Sequence, residues 1–355
     1  MSVSTYGISR GRTQMKLGII GLTGSGKKSI FEALTRHIGP SGLKNEDRIG
    51  TINVPDHRVD VLSDMYQPVK TTYAKVEYFL PAQTAKKRDH SIWNTIRDCD
   101  ALIHVIQNFD GFTSAELNPF KAFLELEEDM ILSDLGVCEK RLERIDLDKK
   151  RGKTVNPEEV SLLNDCMSAL ENEDPLRKYE HLAGAHALKG FAFISAKPLL
   201  VLYNNGDDDD TMPDEEKIAA SSAGCMVIKG KIEHEIAQMS GEEAKEFMTE
   251  FDISSSAMDR VIQKSYDILG LISFFTVGKD EVKAWTIRRQ TQALDAAGII
   301  HSDIKKGFIR AEVLSYDDLL SAGSQQEAKK RGIARLEGKT YIVKDGDIIN
   351  FRFNI

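Results

Sequence analysis

The chain has 355 residues, 41% of them hydrophobic and 29% charged, enough for two or three domains that each bury a core. That apolar content excludes general disorder, and no apolar run approaches the ~20 residues of a membrane-crossing helix. The net charge of −8 argues against wholesale coating of nucleic acid, although residues 279–355 carry 14 Lys and Arg against 11 Asp and Glu and are the better place for an anionic partner.

In chain order, the polar residues 2–14 show no secretory pattern, and Lys16-Leu-Gly-Ile-Ile20 reads as a short buried strand. A Gly-rich turn follows, then Ser29-Ile-Phe-Glu-Ala-Leu-Thr-Arg36 with helical apolar spacing. Strand, glycine loop and helix open an α/β nucleotide-binding fold. Residues 74–80, 101–106, 198–203 and 225–228 read as further strands between helical stretches, so a mostly parallel sheet is expected. Ile131, Leu135, Cys138, Leu142 and Ile145 step by four and three, as a heptad seam does. After a Gly/Pro loop, Val160, Leu163, Met167 and Leu170 form a second stripe, so residues 119–188 are expected to insert a helical hairpin between sheet strands. Asp207-Asp-Asp-Asp210 reads as a solvated acidic loop, and residues 242–251 and 256–268 as two helices. Near the end, Tyr341-Ile-Val-Lys-Asp-Gly-Asp347 and the residues after it predict strand, Asp-Gly turn, strand. Four widely spaced cysteines form no C-x-x-C pair and are expected to be reduced thiols, without zinc.

The sharpest chemistry is Gly21-Leu-Thr-Gly-Ser-Gly-Lys-Lys-Ser29, a G-x-x-x-x-G-K frame placed between strand and helix. Glycines let successive backbone N–H groups turn inward around a phosphate, and the helix points its positive end at the same spot. The expected nucleotide site is Gly21, Leu22, Thr23, Gly24, Ser25, Gly26, Lys27, Lys28 and Ser29, with Lys27 as the point charge on the outer phosphates. A Gly-rich turn without a ligand is the bland alternative. The residue after the key lysine is normally Ser or Thr, whose hydroxyl ligates Mg²⁺, but here it is Lys28. Two accounts of Lys28 stand: it partly replaces the metal as counter-charge, or it points to solvent. Ser29, turned by roughly 100° along the helix, is a poor stand-in.

Over nearly its whole length from Met15 the chain resembles the YchF family of Obg-related, translation-factor-class P-loop NTPases. The residues that carry this include Val54-Pro-Asp-His-Arg-Val-Asp60, Asp134-Leu-Gly-Val-Cys-Glu-Lys-Arg-Leu-Glu143, Ala297-Gly-Ile-Ile-His-Ser-Asp303 and Gly307-Phe-Ile-Arg-Ala-Glu-Val313. The resemblance implies a P-loop domain over residues 15–118 and 189–270, an inserted helical hairpin over 119–188 and an α+β TGS domain over 271–355. It also implies cytoplasmic location, ATP or GTP as ligand, and association with a ribosome or RNA through the TGS domain and hairpin. The family's N-x-x-D base-reading frame falls on Asn204-Asn-Gly-Asp207, so Asn204 and Asp207 join the expected nucleotide site, with ATP and GTP both open. The loop that usually reads S-A-K is Lys229-Gly-Lys231.

Departures from the family fall on one function. Its D-x-A-G switch strand corresponds to Leu80-Pro-Ala-Gln83, with Leu80 in place of the metal-binding Asp, and residues 84–90 replace the longer second switch. The first-switch region, residues 39–50, has no clear Thr equivalent. Mg²⁺ binding is therefore doubtful, no metal ligand or catalytic residue is assigned, and hydrolysis is expected to be weak or lost. Glu77, Asp47 or Asp56 would be the nearby acid able to rescue the metal, which makes an active ATPase or GTPase one alternative; a scaffold that binds no nucleotide is the other. His104 is expected to be a satisfied core histidine, and Trp93 and Trp285 packing residues. Lys305, Lys306, Arg310, Lys329, Lys330 and Arg331 are either a basic face for RNA or a dispersed solvated surface.

Overall fold

The computed structural model describes residues 15–36, 46–82, 91–110, 118–250 and 256–354. The expectations for residues 2–14, 39–45, 83–90 and 251 lie outside them. Among the described residues the strands in chain order are β1 (Met15–Ile20), β2 (Arg48–Asn53), β3 (Lys70–Thr72), β4 (Lys75–Leu80), β5 (Ala101–Asn108), β6 (Leu199–Asn205), β7 (Gly224–Ile228), β8 (Leu271–Val277), β9 (Glu281–Arg288), β10 (Phe308–Ser315), β11 (Arg335–Glu337) and β12 (Asp347–Phe353). They form two six-stranded sheets, ordered β2-β4-β1-β5-β6-β7 and β11-β10-β12-β8-β9-β3. The chain packs as two compact units, residues 1–52 with 77–261 and residues 53–76 with 262–355. The domain bounds expected from sequence do not group residues 53–76 with the C-terminal part. β3, within that segment, pairs in parallel with β9.

In the first unit β1, β5, β6 and β7 run parallel, as the separated apolar runs require. Their side chains bury on both faces: β6 is buried at every position. The Pro119–Lys150 helix starts with Asn118 accepting from the Lys121 N–H and Pro119 in the first turn; Asn156 and Pro157 begin the Pro157–Glu171 helix in the same way. The long helix packs Phe123, Leu126 and Met130 with Leu102, Ile106 and Tyr203 of the sheet, then continues into the hairpin. There Ile131, Cys138 and Ile145 bury against Leu163 and Leu170, with Leu135, Leu142, Val160 and Met167 half-buried beside them. Cys166, outside the expected stripe, is fully buried in the same seam. The four thiols are free, and only Cys225 is not fully buried.

Asp134 ties the hairpin to the sheet. Its carboxylate is fully buried and accepts from the Ile194 N–H at 3.0 Å, the Ser195 N–H at 2.7 Å and Arg97 Nη1 at 3.1 Å. The two backbone donors would otherwise be buried orphans, whereas Arg97 also donates to Ala192 O at 3.2 Å and Ser133 Oγ at 2.9 Å. A second buried pair joins Glu127 of the same long helix to Arg177, beyond the hairpin.

The second unit is a mixed sheet: β8–β9, β10–β11 and β10–β12 are antiparallel, and β12 also pairs in parallel with β8. Phe274, Ile287, Ala296, Val313 and Ile349 are in its core. The hairpin expected at Asp345-Gly346 does not form. Residues 341–343 turn instead toward 291–292, with the Val343 N–H donating to Thr291 O at 3.0 Å and an isolated bridge between Gln292 and Ile342. The Asp345 carboxylate accepts from the Ser273 N–H at 2.8 Å, and the Gly346 N–H donates to Ser273 O at 2.9 Å. The turn residues thus join β12 to β8, and this long-range pairing overrides the local hairpin preference. No helix among the described residues is long and apolar enough to cross a membrane.

Replacing Asp134 with alanine leaves two buried N–H groups without an acceptor and Arg97 without its acid, so Asp134→Ala is expected to lower stability by about 3–5 kcal/mol, read by urea unfolding of the full chain. Asp134→Asn, which still accepts one of these bonds, is expected to lose less. A loss under about 1 kcal/mol for Asp134→Ala would contradict this role.

Candidate functional site

β1 ends at Ile20, and six residues separate it from the Lys27–Thr35 helix. Between them the chain makes the loop that the G-x-x-x-x-G-K spacing predicts. Gly26 sits at the helix start with φ 92°, in the left-handed region, and a Cβ there would overlap the Asn204 side chain. A Cβ at Gly21 would strike the Val105 carbonyl of β5. Helical bonding begins with the Ile30 N–H on Gly26 O at 3.0 Å, so the N–H groups before it have no helical carbonyl to bond, as at any helix start. Thr23 and Gly24 are exposed at the tip, Leu22 packs partly on the core, and Ser25 is buried with its hydroxyl unpartnered among the described residues.

Lys27 is 9% exposed and folds back over the loop, with Nζ donating to Gly21 O at 2.7 Å and Leu22 O at 2.6 Å. Burial pushes its pKa down to about 8. Lys28 takes another direction. It is half exposed, and its Nζ lies 3.8 Å from Glu32, one helical turn on. Burial pushes the Glu32 carboxyl up, but hydrogen bonds from Arg48 and His234 and the charge of Lys28 outweigh it and hold the pKa below the usual value.

Asn204, at the end of β6, clasps the loop from behind. Its Nδ2 donates to Ser25 O at 3.0 Å, and its Oδ1 accepts from the Gly230 N–H at 2.9 Å. The side chain is nearly buried, so the loop, the strand end and the 229–231 turn share one fixed carboxamide. Asp207 is partly exposed, and its carboxylate meets Lys231 Nζ at 3.1 Å. Asn205 turns inward to Asp209 O and Thr211 O. The acidic run is exposed or half-exposed, as a solvated loop is, and partly engaged: Asp209 caps the Thr211 N–H and Asp210 pairs with Lys229 at 2.9 Å.

Where the resembling family places a metal-binding Asp the chain has the apolar Leu80, and two of the three acids expected to rescue the metal, Asp56 and Asp47, are engaged. Leu80 at the end of β4 is 7% exposed. Asp56 caps its own helix and holds Arg58 at 2.8 Å. Asp47 is exposed and accepts from the Ala82 N–H at 2.8 Å, two residues past Leu80. Among the described residues no three His, Cys, Asp or Glu side chains gather as a metal site.

His104 corrects one expectation. It is a core residue stacked near Phe123, but neither ring nitrogen has a hydrogen-bond partner among the described residues. Burial, with Lys27 and Arg177 nearby, pushes its pKa down to about 3, so it stays neutral. Trp93 is buried in the sheet core. Trp285 packs on the second core and donates its indole N–H to Thr276. Of the six basic residues singled out in the C-terminal unit, five are ion-paired and Arg310 is exposed. Lys305 pairs with Asp295, Lys306 with Asp303, Lys329 with Glu312, and Lys330 and Arg331 both with Glu327. The brace formed by Asn204 and Gly230 was not foreseen; the only trace of it in sequence is the glycine at position 230.

The family model YchF-GTPase_C, described as "Protein of unknown function (DUF933)", matches residues 271–354. The chain is 35% identical over 361 residues to the Ribosome-binding ATPase YchF of Bacillus subtilis (strain 168), covering 95% of this chain and 99% of that protein. It is 33% identical over 364 residues to the protein of the same name in Escherichia coli O157:H7, covering 96% and 99%. The solved structure of the Schizosaccharomyces pombe YchF GTPase superposes with a TM-score of 0.83 at 25% identity, covering 97% of this chain and 99% of that one. With a P-loop fold and family likeness along almost its full length, the chain belongs to the YchF family.

Proposed function

We propose that this chain binds a purine nucleoside triphosphate, ATP or GTP, at the 21–29 loop, hydrolyses it slowly or not at all, and acts in the cytoplasm as a ribosome- or RNA-associated regulator of the translation class. The nucleotide reading is supported by the loop itself: a left-handed glycine at the helix start, a nearly buried ammonium folded over the loop, and Asn204 bracing it at Ser25. The ribosome enters through the relatives, which are named ribosome-binding ATPases.

The reading of weak hydrolysis rests on donor chemistry. Mg²⁺ takes oxygen ligands in near-octahedral geometry. The position that offers a hydroxyl in the family offers the Lys28 ammonium here, and the position that offers a carboxylate offers the Leu80 side chain. Neither fits the ion. Losing such a cation costs several kcal/mol of transition-state stabilisation, and each ~1.4 kcal/mol is tenfold in rate. A second reading, a working hydrolase, has one observation in its favour: the exposed Asp47 carboxylate beside Ala82, near the end of β4.

The variant carrying Lys28→Ser and Leu80→Asp together is expected to raise Mg²⁺-dependent turnover of ATP or GTP at least tenfold over the parent, measured by phosphate release. Parent turnover that Asp47→Asn abolishes would favour the working hydrolase instead. Asn204→Ala removes two buried hydrogen bonds of about 1 kcal/mol each, so nucleotide affinity is expected to fall about tenfold or more in calorimetric titration. The ammonium of Lys27 is charged below its pKa of about 8 and is lost as pH rises through it. A bound phosphate favours the charged form, so affinity is expected to be flat from pH 6.5 to 7.5 and to fall up to tenfold per unit above about 8. Affinity that stays level to pH 9.5 would contradict a contact between Lys27 and the phosphates.

A further inference from the structure

We propose that a cavity of the second unit, walled on one side by residues 54–58, binds a free α-amino acid with an apolar side chain. The Val54-Pro-Asp-His-Arg58 stretch takes no part in the nucleotide loop. It faces a cavity of about 330 Å³ whose lining belongs entirely to the second unit. The opposite wall comes from the end of the Ala257–Ile268 helix and the start of β8.

One part of the lining is a rigid frame. Arg58 donates from Nε to Asp56 Oδ1 at 2.9 Å, from Nη2 to Asp56 Oδ2 at 2.8 Å and from Nη1 to Asp345 Oδ2 at 2.8 Å. Its guanidinium lies 5.0 Å from the centroid of the Phe275 ring. Asp345 in turn accepts from the Ser273 N–H. Gly346, at φ 86°, lets the chain pass close to this arginine: a Cβ there would lie 3.2 Å from Nη1. These three charges are engaged with one another and hold the wall in place.

Two further charges are uncommitted. Arg289 Nη2 stands 3.7 Å from Asp267 Oδ1, too far for a hydrogen bond, and both side chains are exposed. Neither has another ion pair or side-chain hydrogen bond among the described residues. An exposed pair this loose contributes little stability, so it opens at little cost. A guanidinium and a carboxylate side by side match the carboxylate and ammonium that an α-amino acid carries on one carbon. Gln263, one helical turn before Asp267, adds an amide donor and acceptor at the same wall. The rest of the lining is apolar. Val54, Leu271 and Ile272 are nearly buried, and the Tyr266 hydroxyl is taken by Thr286 at 2.6 Å. Size and charge both favour this class of ligand. The volume is at the small end of the ~300–1,000 Å³ typical of small-molecule sites. Three carboxylates against two guanidinium groups in the lining disfavour an anion, whereas a zwitterion adds no net charge.

The test is calorimetric titration of the full chain with L-leucine, L-methionine and L-phenylalanine, with leucinamide and 4-methylpentanoate as ligands lacking the carboxylate and the ammonium. The parent is expected to bind at least one of the three amino acids with a Kd of about 1 mM or tighter, and L-leucine at least tenfold more tightly than either truncated ligand. Arg289→Gln is expected to abolish the preference for L-leucine over leucinamide, and Asp267→Asn the preference over 4-methylpentanoate. Both exposed substitutions are expected to keep the parent's melting temperature, which separates loss of the site from loss of the fold. Absence of binding for all three amino acids would overturn the proposal. So would leucinamide or 4-methylpentanoate binding as tightly as L-leucine, or preferences that survive both substitutions.

Discussion

The proposed phosphate loop would function only if its amides stay turned inward before any phosphate arrives, and one carboxamide supplies a constraint of that kind. Asn204 donates to the loop at Ser25 and accepts from the turn at Gly230. Both bonds are nearly buried, so neither partner is easily replaced by water. The left-handed Gly26 is fixed by the same contact, because no larger residue fits beside Asn204. In the free loop Lys27 directs two of its three N–H donors to Gly21 O and Leu22 O, which keeps a buried ammonium satisfied while leaving one donor for a ligand.

The sequence reading was most successful where a pattern is dictated by local geometry. The Gly21-to-Lys27 spacing, the heptad seam through Ile131, Cys138 and Ile145, and the apolar runs of β5 and β6 are legible because chain period fixes which face is buried. The reading failed where distant partners decide. Asp345-Gly346 carries a strong hairpin signal, yet its carboxylate and amide are taken by Ser273, seventy-two residues away. Residues 53–76 belong with the C-terminal unit because β3 finds β9, a pairing that no short-range signal announces. His104 was expected to be satisfied, but the strand that buries it offers no partner. At the site itself, the residue types were visible and their connections were not. Asn204 was identified for base reading, while its grip on Ser25 and Gly230 depends on β6 ending beside the loop.

Charge is distributed in a consistent way across the molecule. Acids near the nucleotide mouth are engaged by neighbouring cations, as Asp207 is by Lys231 and Glu32 by Arg48 and Lys28. Such pairs contribute little stability at a surface, but they lower the negative field that an incoming triphosphate would meet. In this account the loop grips a polyphosphate by main-chain amides and one ammonium rather than through a divalent ion.

The most direct test is calorimetric titration of the full chain with ATP and with GTP, each with Mg²⁺ and with EDTA in its place. The account predicts that at least one of the two binds with nearly the same affinity in both conditions. Binding that disappears when the metal is removed, or the absence of any binding heat for either nucleotide, would contradict it.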